Sequence, residues 1–116
     1  MTQRARGLAL CLCLAAAMAG CGGEPDYPPT SEGLFLRHCS RCHEADGNSE
    51  TASKLAKSHI DLRDPTFQKR ITDGEIAYIM EFGVGQMQGV ADLTSATVDS
   101  ILLHVRRLGR RALADP

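Results

Sequence analysis

The stretch His38-Cys39-Ser40-Arg41-Cys42-His43-Glu44 constrains this chain more than any other feature. Two thiols three positions apart, with an imidazole directly after the second, serve one of three chemistries. They form a thiol–disulfide pair, part of a zinc site, or the covalent seat of a c-type haem. Length narrows the setting. A chain of 116 residues holds one small domain at most. With three Phe, two Tyr and no Trp it has little aromatic surface to bury. A domain of this size usually needs a staple, a metal or a cofactor to offset chain entropy.

The N-terminus reads as a secretory signal peptide over residues 1–20. Arg4 and Arg6 precede an uncharged run from Gly7 to Met18, which ends in the small residues Ala19 and Gly20. The run is too short for a comfortable membrane span. Its end, Met18-Ala19-Gly20-Cys21, resembles the lipobox of bacterial lipoproteins, although Met18 stands where Leu is usual. That resemblance implies lipidation of Cys21, multiple acyl chains and a firm membrane anchor, where a single chain binds only marginally. Cleavage without a lipid, giving a soluble periplasmic protein, is the alternative. Gly22 lacks the Asp that retains some such proteins at the inner membrane, so the outer and inner membranes both stay open.

Removal of that segment sorts the cysteines. Cys11 and Cys13 leave with it and Cys21 carries lipid, so only Cys39 and Cys42 remain in the mature domain. No further pair is left for a disulfide framework or a four-thiolate zinc site. The 13 basic residues fall to 11 against 14 acidic ones. With no basic stripe and no RNA-reading motif, nucleic acid is not an expected partner. Residues 21–30, rich in Pro and Gly, read as a flexible tether.

From Ser31 onward the pattern is helical. Ser31 is a candidate cap for a helix that carries Leu34 and Phe35 into Cys39. Residues 51–58 suit a short helix, and Asp61-Leu62-Arg63-Asp64-Pro65 reads as a turn or loop. Thr72 and Glu75 have capping-box spacing, and Ile71 and Ile76 are placed to staple. Ile76, Ile79 and Met80 share one face, and Gly83 suits the helix end. The last helix starts at Thr94 and carries the stripe Val98, Ile101, Leu102, Val105 and Leu108, with Gly109 expected to end it. No strand and no internal repeat are apparent. The fold class is therefore all-α, with a domain over residues 31–110 and a tail over 111–116.

The motif can now be weighed. Thiols at the spacing of Cys39 and Cys42 can add to the two vinyl groups of one haem, with His43 as an axial iron ligand. A thioredoxin-type site would sit in a βαβ pattern, which is absent. Zinc would recruit Cys39 and Cys42 with two of His38, His43 and His59, a spacing that matches no standard site.

The arrangement resembles the monohaem cytochrome c family. Phe35 and Cys39 match the aromatic approach to the motif. Gly83-Val84-Gly85-Gln86-Met87 resembles the glycine-rich loop of the distal methionine, and Leu102–Leu108 resembles the closing helix. The likeness covers about residues 31–109. It implies a small cytochrome c-like helical domain around one covalent haem c, bound by Cys39 and Cys42, with His43 as proximal and Met87 as distal iron ligand. A thioether is soft and favours ferrous iron, so His/Met ligation raises the reduction potential. Three positions depart from the family pattern. Glu44 stands where glycine is common, Gln88 where proline is usual, and His104 where an aromatic packs. Met80, with its helical spacing from Ile76, reads as core. His59 and His104 are the other candidates for the distal position, and His38 reads as a solvent-facing helix residue.

The function this implies is one-electron transfer by a carrier that is not itself an enzyme, meeting redox proteins in transient contacts on the periplasmic side of a bacterial membrane. A labile Met87 would instead open the iron to a gas or peroxide, as in a sensor or peroxidase-like protein. A zinc-binding structural domain is the third class.

Overall fold

The structure is a computed structural model that describes residues 20, 22–23 and 25–115. The signal peptide and the lipidated Cys21 expected from the sequence therefore lie outside the described residues, apart from Gly20. Among the described residues, six helices and one short hairpin follow in order. They are α1 (Ser31–His38), α2 (Ser40–His43), α3 (Glu50–Ala56), α4 (Pro65–Arg70), α5 (Asp73–Phe82), β1 (Gly83–Val84), β2 (Met87–Gln88) and α6 (Ser95–Ala114). The all-α expectation holds, and the chain forms a small helical domain.

α6 is the element on which the others pack. Its stripe behaves as the periodicity predicts, with Ile101, Val105 and Leu108 buried and Val98 and Leu102 packed against them. These residues meet Phe35 from α1 and Ile76 and Met80 from α5, which completes the core. Burial of such side chains stabilises by about 1.5–3 kcal/mol each. α1, α4 and α5 all contact α6, so this helix fixes the segments that lead into the cysteine motif and into the Met87 hairpin.

The helix starts show which local signals held. At α5 both halves of the capping box are present: the Thr72 hydroxyl accepts from the Glu75 amide and the Glu75 carboxylate accepts from the Thr72 amide. Thr94 caps α6 through the Thr97 amide. At α1 the cap is Thr30 and not Ser31, because Thr30 is the residue with extended backbone, and its Oγ1 accepts from Gly33 N at 3.1 Å. The tether expectation for residues 21–30 meets contacts at its far end. The Tyr27 carbonyl accepts from Arg37 Nη2, and the Pro28 carbonyl lies against Gly33.

Three further sequence expectations are corrected. Pro65 does not sit in a loop but opens α4, where the missing N–H of a first-turn proline costs nothing. Asp64 caps that helix by accepting from Thr66 N at 2.7 Å. A two-residue antiparallel ladder, Gly83 with Gln88 and Val84 with Met87, forms where no strand was expected. Gly109 does not end α6, which runs on to Ala114 and takes in most of the expected tail. The glycine is instead a packing site: a Cβ there would lie 2.6 Å from Gln68 Cδ.

Gln68 is held in place from three sides. Its Nε2 donates to the Leu62 and Val105 carbonyls at 2.6 and 3.0 Å, and its Oε1 accepts from Arg106. Arg106 also reaches the Gln68 and Ile71 carbonyls and the Asp73 carboxylate, clamping α4 and the start of α5 onto α6.

Candidate haem-attachment site

The site begins at a break in the chain. α1 ends at Cys39, whose backbone (φ −123°, ψ −33°) leaves helical geometry while its amide still donates to the Phe35 carbonyl at 2.8 Å. The short turn α2 restarts at once, with the Cys42 and His43 amides donating to the Cys39 carbonyl. Phe35 is completely buried against α6, so the segment that leads into the first cysteine is anchored in the core. Cys39 and Cys42 are both half-buried and not joined by a disulfide.

Burial pushes the Cys39 thiol up to about 12. That burial disfavours the thiolate form a redox-active cysteine uses. Among the described residues no three His, Cys, Asp or Glu side chains gather as a metal-binding group.

His43 is the best-defined part of the site. Burial holds its imidazole below the ordinary histidine range, although the Glu44 carboxylate pulls the other way. Its Nδ1 lies 2.7 Å from Ser49 Oγ. An imidazole whose Nδ1 carries the proton and is held by an acceptor keeps Nε2 as the free lone pair, the usual state of a histidine about to ligate a metal. Two free thiols on consecutive turns, followed by an imidazole whose Nδ1 faces a hydroxyl, are a donor set that fits one covalently attached haem.

Ser49 was not singled out from the sequence. A serine before a short helix reads as an ordinary cap, and nothing local shows that its hydroxyl turns back to residue 43.

Glu44 resolves one departure from the expected pattern. Its φ of 54° and ψ of 166° lie in a region that is nearly glycine-only, so glutamate here carries backbone strain of about 1–3 kcal/mol. The side chain offsets part of that. Its carboxylate accepts from the Thr51 amide at 3.2 Å and from the Thr51 hydroxyl, tying α2 to the first turn of α3.

Met87 stands on a separate segment, half-buried in β2. The loop that carries it is closed by the β1–β2 ladder and by a hydrogen bond from Val90 N to the Met80 carbonyl at 2.8 Å. Gly83 turns the chain out of α5 with φ 79°, and a Cβ there would collide with the Met87 carbonyl, so the hairpin requires glycine at this point. Met80, the other sulfur in this region, is 4 % exposed within the core, in agreement with the core reading.

The remaining histidines separate clearly. His59 is exposed, and His38 is half-buried in the last turn of α1 where solvent exposure was expected. His104 is fully buried in the α1–α6 interface beside Phe35, and neither ring nitrogen has a hydrogen-bond partner. It thus occupies the aromatic packing position of the last helix.

No family model and no curated protein matches the chain. Among solved structures it is similar to the KustC0563 c-type cytochrome, with a TM-score of 0.61 and 25% identity over 68% of this chain and 96% of that one. The fold is cytochrome c-like. That likeness supports haem-based electron transfer in general, and an electron carrier above an enzyme.

Proposed function

We propose that this chain is a one-electron carrier that holds a single haem c through thioethers to Cys39 and Cys42, with His43 and Met87 as axial ligands. The observation that carries the reading is the held imidazole: His43, directly after two free thiols, has Nδ1 against Ser49 Oγ at 2.7 Å. Bound haem supplies an iron that alternates between the ferric and ferrous states, at a potential set by its ligands and surroundings.

The protein's own residues do the rest. The buried Phe35 and the Cys39–His43 turn fix where attachment occurs. Ser49 orients the imidazole. The closed segment from Gly83 to Val90 presents a thioether while Met80 is kept in the core. With protein groups in both axial positions no substrate site is needed, and partners are redox proteins met in small, transient contacts. We place the domain on the periplasmic side of a bacterial membrane, held by lipid on Cys21. Among the described residues no helix is long and apolar enough to cross a membrane.

Two measurements test this. The alkaline-pyridine spectrum of the purified protein should show haem c at one equivalent per chain, and acid–acetone should leave the colour on the protein. Colour lost to acid–acetone overturns covalent attachment. Mass spectrometry of the mature N-terminus should find acylated Cys21, and an unmodified cysteine or cleavage elsewhere overturns the anchor.

A further inference from the structure

We propose that Ser49 is a dedicated positioning residue for His43: its hydroxyl has been withdrawn from helix capping to accept the Nδ1 proton and so tune the iron ligand. The inference rests on the haem reading above.

Ser49 is the residue before α3, in the left-handed region (φ 60°, ψ 34°), and it is completely buried. A serine in that place normally accepts a hydrogen bond from an amide of the first helical turn. This one makes no such bond. The amide it would have served, Thr51 N, donates instead to the Glu44 carboxylate. Glu44 has thus taken over the cap, and the Ser49 hydroxyl is free for other work.

That work is visible in its two contacts. Ser49 Oγ donates to the Gly47 carbonyl at 2.9 Å and lies 2.7 Å from His43 Nδ1. A hydroxyl has one proton. When His43 offers its Nε2 lone pair to iron, the ring's only N–H is at Nδ1, so Ser49 must accept there and donate onward to Gly47. Both residues are further locked by the Ser49 amide, which donates to the His43 carbonyl at 3.2 Å, and by Leu62 N, which donates to the same Gly47 carbonyl at 3.0 Å. The chain His43–Ser49–Gly47–Leu62 therefore links the imidazole to the loop that packs under α6.

Drawing the Nδ1 proton toward an oxygen makes Nε2 a stronger donor. A stronger donor stabilises ferric over ferrous iron and lowers the potential, while loss of the acceptor raises it.

The test uses the haem-loaded protein with Ser49→Ala, Ser49→Gly and Ser49→Thr. Haem content of the parent is measured first, because absence of covalent haem there refutes the carrier reading whatever Ser49 does. With haem in place, Ala and Gly should both shift the ferrous-to-ferric balance upward by about tenfold, or about 59 mV for a one-electron couple. The His43 Nδ1 proton, seen by NMR in the ferrous state, should exchange faster with solvent in both. Ser49→Thr, which keeps the hydroxyl, should stay near the parent. If threonine's branched side chain prevents folding in the left-handed region, the Ala and Gly pair decides alone. Parent-like potentials in both, with haem content intact, overturn the proposal. So does a shift in only one of them, since the backbone at 49 and not the hydroxyl would then be the cause.

Discussion

The imidazole of His104 lies 4.9 Å from the ring of Phe35, centroid to centroid and tilted by 41°, and no polar atom of either helix answers its nitrogens. Histidine here does the packing work of an aromatic residue and must stay neutral to do it. Burial holds it below the ordinary value of 6.5; Glu32 opposes that, while Arg107 and Arg111 add to it. The unfolded chain therefore binds this proton at higher pH than the folded one. Stability from this site is fully present above pH 6.5 and is lost as pH falls from there through the lowered folded value. Urea denaturation of the haem-loaded protein between pH 7.5 and 5 should show the decline. His104→Phe should flatten it, and an unchanged slope in that variant would assign the effect to another group.

Glu44 combines a strained backbone with a hydrogen-bonded side chain, so its substitutions should divide. Glu44→Ala keeps the positive φ and loses both Thr51 bonds, with an expected cost of about 1–3 kcal/mol. Glu44→Gly loses the same bonds but relieves strain of similar size, and should fall within about 1 kcal/mol of the parent. Denaturation midpoints of the two variants, compared at constant pH, measure the difference. Equal losses would show that φ 54° costs nothing here.

Gly109 and Gln68 should prove energetically coupled. An alanine in the middle of α6 gains about 1 kcal/mol of helix propensity. It also displaces a side chain held by three hydrogen bonds, an overpacking cost of about 1–3 kcal/mol. Gly109→Ala alone should therefore destabilise. In the Gln68→Ala background the clash disappears and the same change should stabilise. A double-mutant cycle reads the reversal directly.

The two methionines make opposite predictions. Met87→Ala should remove the weak sulfur-to-iron charge-transfer band of the ferric protein, lower the potential, and let carbon monoxide bind the ferrous form. Met80→Leu, a volume-conserving change in a packed core, should leave all three unchanged and cost less than about 1.5 kcal/mol. Spectral loss in Met80→Leu but not in Met87→Ala would reverse the ligand assignment. Loss in neither would move the distal position to His59, because His104 is already committed to the core.

Much of this molecule is written in short-range signals. The Cys39–His43 motif is contiguous, so the attachment chemistry we propose for it is read without the fold. The capping box of Thr72 and Glu75 and the stripe from Val98 to Leu108 repeat at helical intervals, and their partners lie within a turn or two along the chain. Met80 as core also followed from spacing alone. What tertiary structure decided were the groups with several near-equivalent partners. A hydroxyl at Ser49 can cap a helix or hold an imidazole, and only the arrival of the Glu44 carboxylate at Thr51 releases it for His43. Gly109 reads as a helix end until Gln68, brought in by α4, occupies the space a side chain would fill. His104 reads as a spare ligand until Phe35 closes over it. Most of the helices, and the motif to which haem attachment is assigned in our proposal, could be read from the sequence, because capping, periodicity and the Cys39–His43 spacing depend on near neighbours along the chain. The occupant of each remaining hydrogen bond and cavity was settled only when distant segments met, because the alternatives differ by a kilocalorie or two and packing supplies that margin.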